Sequence, residues 1–179
     1  MENTHLFEIT EGEAVKIGRR TGIAFGGLGV LVANILVTIF VSVSDGISNG
    51  LVWFLHFEYW PSLLVGIAAI IVFSYFLCGS AAAAVITGKK NEVWVGSATA
   101  VAVLFASGVS AGLFLVFQNM FSAPPSGSIV LTDLVILPAL ILTFYGFLPA
   151  SILGICFGVF IRKKATTREV KATHEVAAA

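Results

Sequence analysis

Charge is what this sequence has least of. Only 11% of its 179 residues are Asp, Glu, Lys or Arg, less than half of the roughly 25% usual in a soluble domain. The scarcity is also uneven. Residues 21–44, 61–88, 93–132 and 134–161 contain no charged residue at all. A helix needs roughly 20 apolar residues to cross the hydrocarbon core of a bilayer, and each run is long enough for one crossing. Their continuity excludes a transmembrane β-barrel, whose strands alternate over roughly ten residues each. The expected fold is therefore an all-α membrane protein, a four-transmembrane-helix bundle. Its helices should fall at about 21–43, 61–87, 93–117 and 136–161, within one domain over 21–161. An N-terminal arm (1–20) precedes it and a basic tail (162–179) follows.

What is missing inside those runs removes several functions. Proton-coupled carriers and charge-moving pumps keep ionisable groups in the membrane, and the apolar runs hold none. The three histidines lie outside the runs, so no axial ligand for a haem between helices is expected. Phosphate-binding loops, nucleophile elbows and HExxH motifs are absent. The two cysteines, Cys78 and Cys156, have no CxxC spacing and make no disulfide framework. His56 and Glu58 sit two apart, about 200° around a helix, which is poor spacing for a shared metal. Neither a catalytic residue, a cofactor nor a metal site is expected.

The charges that are present have a pattern. All ten Lys and Arg fall before residue 21, at Lys89-Lys90, or after residue 161, whereas Asp45, Glu58 and Asp133 occupy the other two connections. The positive-inside rule then places both termini and the Lys89-Lys90 turn in the cytoplasm, in a plasma-membrane protein. The N-terminal arm reads either as a short surface helix ending in Lys16-Ile17-Gly18-Arg19-Arg20 or as disordered chain. Nucleic acid is not an expected partner, since the basic groups are accounted for by topology; membrane lipids are.

Small residues are abundant. Between Gly96 and Gly112, 12 of 17 residues are Gly, Ala, Ser or Thr. Such residues let helix backbones approach closely, so the third helix should be the one its neighbours pack against. Gly22, Gly26, Gly29 and Ala33 on the first helix, Cys78 to Ala84 on the second, and Ala150, Gly154 and Gly158 on the fourth offer matching faces. Pro149 should kink the fourth helix.

Two sets of residues stand out as recognition candidates. The first outer connection crowds Trp53, Phe57 and Trp60 onto one face if 50–60 is helical, which would make an interfacial helix at headgroup level. His56, Glu58, Asp45 and Asp133 join them as outer-face candidates. Within the membrane, Asn34, Ser74, Tyr75, Ser107 and Ser110 are the polar contacts. Asn34 in particular should face another helix or a cavity. The function expected is that of a structural or accessory membrane subunit, assembling as a homo-oligomer or with a membrane-protein partner through small-residue helix faces. A small oligomeric channel or carrier for a neutral solute is one alternative. An interfacial enzyme acting on a lipid-like substrate through His56, Glu58 or Asp133 is the other.

Overall fold

The computed structural model describes residues 10–48, 60–88, 90–122 and 132–177. Every long element is helical: α1 (Glu11–Asp45), α2 (Trp60–Ile86), α3 (Glu92–Ser122) and α4 (Leu137–Ala177), the last entered through a π-helical turn at Thr132–Ile136. All four helices are long and apolar enough to cross a membrane. Their outward side chains are correspondingly greasy, with Leu31, Val72, Phe76, Phe117, Phe144 and Leu148 all exposed. An apolar surface this extensive needs lipid or protein against it rather than water.

α1 begins well before the apolar run. Thr10 caps it, its hydroxyl accepting from the Glu13 N–H at 3.4 Å, and Glu11 and Glu13 occupy the first turn where they complement the helix dipole. Residues 11–20 are thus the first turns of the long helix. They are held there because Ala14 and Ile17 are buried, Ile17 joining a cluster with Cys78, Ala81, Ala82, Val85, Phe157 and Ile161. This cluster forms the tight end of the bundle, beside the basic residues. It is termed the basic end below.

The connection from α2 to α3 is a tight turn. Gly88 adopts a φ of 67°, the left-handed conformation that a glycine at a helix C-terminus supplies without strain, and its N–H reaches the Val85 carbonyl at 3.1 Å. Asn91 then caps α3, its side-chain oxygen accepting from the Val93 N–H at 2.9 Å.

The helices pack as an antiparallel series, α1 on α2, α2 on α3 and α3 on α4. Small residues set each crossing. Gly18, Gly22 and Gly26 of α1 lie against Ala82, Cys78 and Ser74 of α2. Gly66 of α2 faces Ala111 of α3, and Gly112 of α3 abuts Leu134 and Val135 at the start of the fourth helical segment. Gly96 and Gly154 meet backbone to backbone, while Gly158 rests on the Glu92 carbonyl. The third helix is therefore the central element, with a partner on either side. The small-residue faces are largely consumed within the chain. α4 continues as helix through Pro149.

One ion pair ties α3 to α4 at the basic end, Arg162 Nη1 to Glu92 Oε2 at 2.6 Å. The arginine is mostly exposed, and water screens such a pair so that it contributes little. Glu92→Gln should therefore leave the melting temperature nearly unchanged. A larger loss in a detergent melt would mean that the pair, rather than the glycine crossing beside it, holds the end together.

Candidate functional site

α1 and α4 close the series only in part. They meet at the basic end, where the Phe25 and Phe157 rings contact edge to face at 5.6 Å and Phe25 also reaches Phe160 at 6.1 Å. Gly29 is the next point of approach, with Leu153 Cδ1 3.8 Å from where a Cβ would sit. Between the two helices runs a cleft, lined from Gly22, Phe25 and Phe157 near the basic end to Val37 and Leu142 toward the other.

The cleft has a volume of about 660 Å³ and draws its walls from all four helices, a size typical of small-molecule sites. From Gly22 to Val37 on α1 its lining covers fifteen helical steps, roughly 22 Å along the axis. That is most of one membrane crossing. Toward the basic end the Phe25–Phe157 contact narrows it, Phe157 being buried. The walls toward the other end are open. Leu36 and Leu142 are each 48% exposed and Tyr145 is 78% exposed, so the cleft communicates sideways with whatever surrounds the helices.

The chemistry of the lining is almost wholly that of hydrocarbon. Val32, Leu36, Val103, Leu104, Leu142 and Leu153 are among the residues that line it. Of the few polar groups, the Thr99 hydroxyl is committed to its own helix, donating to the Val95 carbonyl at 2.6 Å. Ser74 is the buried hydroxyl at the edge, opposite Gly26, and Cys78 lies next to it toward the basic end. Pro149 also lines the wall. Because proline has no N–H, the Tyr145 carbonyl four residues earlier lacks its usual helical donor. Among the described residues, no charged group lines the cleft. An occupant would meet shape and dispersion, with at most a hydroxyl or a carbonyl to orient it.

The sequence candidates are scattered relative to this cleft. Of the intramembrane set, only Ser74 borders it. Ser107 is buried between α2 and α3 and donates to the Leu104 carbonyl at 2.8 Å, and Ser110 donates to the Ala106 carbonyl at 2.9 Å. Tyr75 is half-buried beneath Arg19. Asn34 is exposed and, among the described residues, lies on neither the cleft nor a packed face. Of the outer-face set, Trp60 is the first residue of α2 and Asp133 sits in the π-helical turn, both exposed. Asp45 ends α1, with its side chain outside the described residues. Trp53, His56, Phe57 and Glu58 lie outside them altogether, as does the expected interfacial helix. Among the described residues, no three metal-ligating side chains come together.

Sequence reasoning missed two features. One is the aromatic contact that narrows the cleft, because Phe25 and Phe157 are two of fifteen phenylalanines and nothing local marks them as a pair. The other is Arg19. Its guanidinium carbon stands 4.9 Å from the centre of the Tyr75 ring, a cation–π contact. Its stem lies on Gly79, Cγ being 3.0 Å from where a Cβ would sit, and its buried Nε has no hydrogen-bond partner among the described residues. Tyr75 is eleven residues inside the end of α2 at Ile86. The apolar runs hold no ionisable residue in sequence, yet this arginine reaches alongside one of them. The signal was available in part: the glycine at position 79 leaves room on α2 for a long side chain from α1.

No protein-family model, curated protein or solved structure matches the chain.

Proposed function

We propose that the chain is a non-catalytic, accessory membrane protein that holds a lipid-like molecule, an acyl or isoprenoid chain, in the cleft between α1 and α4. One observation carries the proposal: a cavity of about 660 Å³, walled by hydrocarbon, narrowed at one end by the Phe25–Phe157 contact and bordered by exposed side chains at the other. A polar solute would find too few partners there, whereas a hydrocarbon chain gives up no hydrogen bonds on leaving the bilayer and gains close contact with fixed walls, which offsets the freedom it loses. A through path for a neutral solute has less support. The Phe25–Phe157 contact narrows the cleft, and Ser107 and Ser110 spend their hydroxyls on their own helix.

The test is photolabelling in proteoliposomes with a phospholipid carrying a diazirine in its acyl chain. Adducts should concentrate on cleft residues such as Val32, Leu36 and Leu153. Labelling of these residues no denser than that of the outward Phe144 and Leu148 would rule the proposal out.

In this reading the four helices cross the plasma membrane with both termini and the Lys89-Lys90 turn in the cytoplasm. The support is the distribution of Lys and Arg over three separate segments. Trp60 and Trp94, exposed at opposite ends of the bundle, suit the two headgroup levels. In a chain lacking its native cysteines, Ser48→Cys and Ser126→Cys should react with an impermeant maleimide added to intact cells. Protection of both until the cells are broken would reverse the orientation.

A further inference from the structure

The outward face of α1 is where the chain leaves a polar group unaccounted for. Asn34 stands near the middle of the apolar run, eleven residues from the helix end at Asp45, and is exposed. Gly29 and Leu36 line the cleft, and at 3.6 residues per turn Asn34 lies roughly 140–160° around the helix from both and about 60° from Val37 at the cleft's edge. It therefore stands beyond that edge, on the exposed side of α1. A carboxamide carries two donors and two acceptor sites, and hydrocarbon offers it no partner.

The neighbours of Asn34 on that face form a seam. Gly27, Asn34 and Val41 recur at seven-residue intervals, the repeat by which two helices stay in contact over several turns. Val30 falls between the first two. A Cβ at Gly27 would meet nothing within 4 Å, so its flat surface serves no contact among the described residues. This separates it from Gly18, Gly22 and Gly26, which are filled by α2.

We infer that this seam joins two copies of the chain, with Asn34 paired to Asn34 across a two-fold axis along the membrane normal. Three features select a second copy over another partner. All copies insert with one orientation, so the two α1 helices run parallel and a residue on the axis meets itself at the same depth. A carboxamide is self-complementary, since each can donate to and accept from the other, and a single asparagine in a heptad seam fixes register and pairing in this way. Gly27, one heptad away, lets the backbones close to the distance that such a bond needs. The seam borders the cleft at Val37, while Gly29 and Leu36, on the far side of α1 from Asn34, stay clear of the pairing.

The experiment measures subunit number and affinity for the full chain in liposomes, by single-molecule photobleaching and by energy transfer over a range of protein-to-lipid ratios. The wild type should be dimeric. Asn34→Leu should weaken association by about threefold to thirtyfold, the range of one interhelical hydrogen bond. Gly27→Leu should weaken it at least as much while leaving the melting temperature of the monomer unchanged, because its side chain has open space. Val41→Cys, with the native cysteines replaced, should form a disulfide-linked dimer on oxidation, and Val72→Cys on the exposed face of α2 should not. A monomeric wild type, or a dimer that both Asn34→Leu and Gly27→Leu leave intact, would overturn the inference.

Discussion

Gly154→Leu should prevent α3 and α4 from closing and leave a protein that fails to hold its bundle in detergent. A Cβ at position 154 would lie 2.7 Å from the Gly96 carbonyl carbon and 2.9 Å from the Ala100 Cβ. The first of these is backbone, so no rotamer change relieves it. The reverse substitution meets the same obstacle, since a Cβ on Gly96 would come within 2.8 Å of the Gly154 carbonyl carbon. Forcing a side chain into such a contact costs typically 1–3 kcal/mol and sometimes more. Leucine at a backbone-to-backbone crossing belongs at or above ~3 kcal/mol, because the helices must separate along the contact. Within membranes that separation is not opposed by a hydrophobic drive between helices, so lost packing is lost association. Gly12→Ala is the matched control. Nothing lies within 4 Å of its Cβ, and the gain in helix propensity is worth up to ~1 kcal/mol. A thermal melt that ranks Gly154→Leu far below wild type and Gly12→Ala at or above it supports the packing described. Equal melting temperatures for Gly154→Leu and wild type would contradict it.

The small-residue faces were legible as faces. The run from Gly96 to Gly112 reads as the helix others pack on, and the Gly22–Gly26 step reads as a close crossing, because no other arrangement explains so little bulk in so apolar a segment. Their pairing was not legible. Gly27 and Gly26 are adjacent in sequence, yet one is packed against Ser74 and the other faces open space. Nothing local distinguishes them, since which side of a helix is covered is decided by the other three. The same holds for the cleft. Its lining residues are ordinary Val, Leu and Gly, and the cavity runs between α1 and α4 past the contact of Phe25 with Phe157. Hydropathy reports that a side chain avoids water, but it does not report whether a helix or lipid lies beside it. Asn34 shows the limit from the other side. Its residue type predicts that it needs a partner, while the structure shows that the partner is not supplied by the described part of the same chain.

The second large effect concerns occupancy. Gly29→Phe should empty the cleft of its ligand without harming the fold. The nearest atom to a Cβ at Gly29 is Leu153 Cδ1 at 3.8 Å, an ordinary contact with the end of a flexible side chain. The new ring would extend into the cavity that the proposed acyl or isoprenoid chain occupies. Retention of that molecule should fall by at least about tenfold, equivalent to ~1.4 kcal/mol. Stability should stay level or rise, since an aromatic ring replaces empty volume and makes new contacts with Leu153 and its neighbours. This opposition between ligand loss and preserved stability separates a filled site from a damaged protein. Gly22→Phe would not serve, because a Cβ there already collides with Cys78 and Ser74 of α2.

The central claim is that the cleft holds a lipid-like molecule, and native mass spectrometry of the protein released from mild detergent tests it most directly. The account predicts one apolar molecule retained per wild-type chain through delipidation, and its absence from Gly29→Phe at matched conditions. Wild-type and Gly29→Phe spectra with the same retained mass, or no retained mass in either, would contradict it.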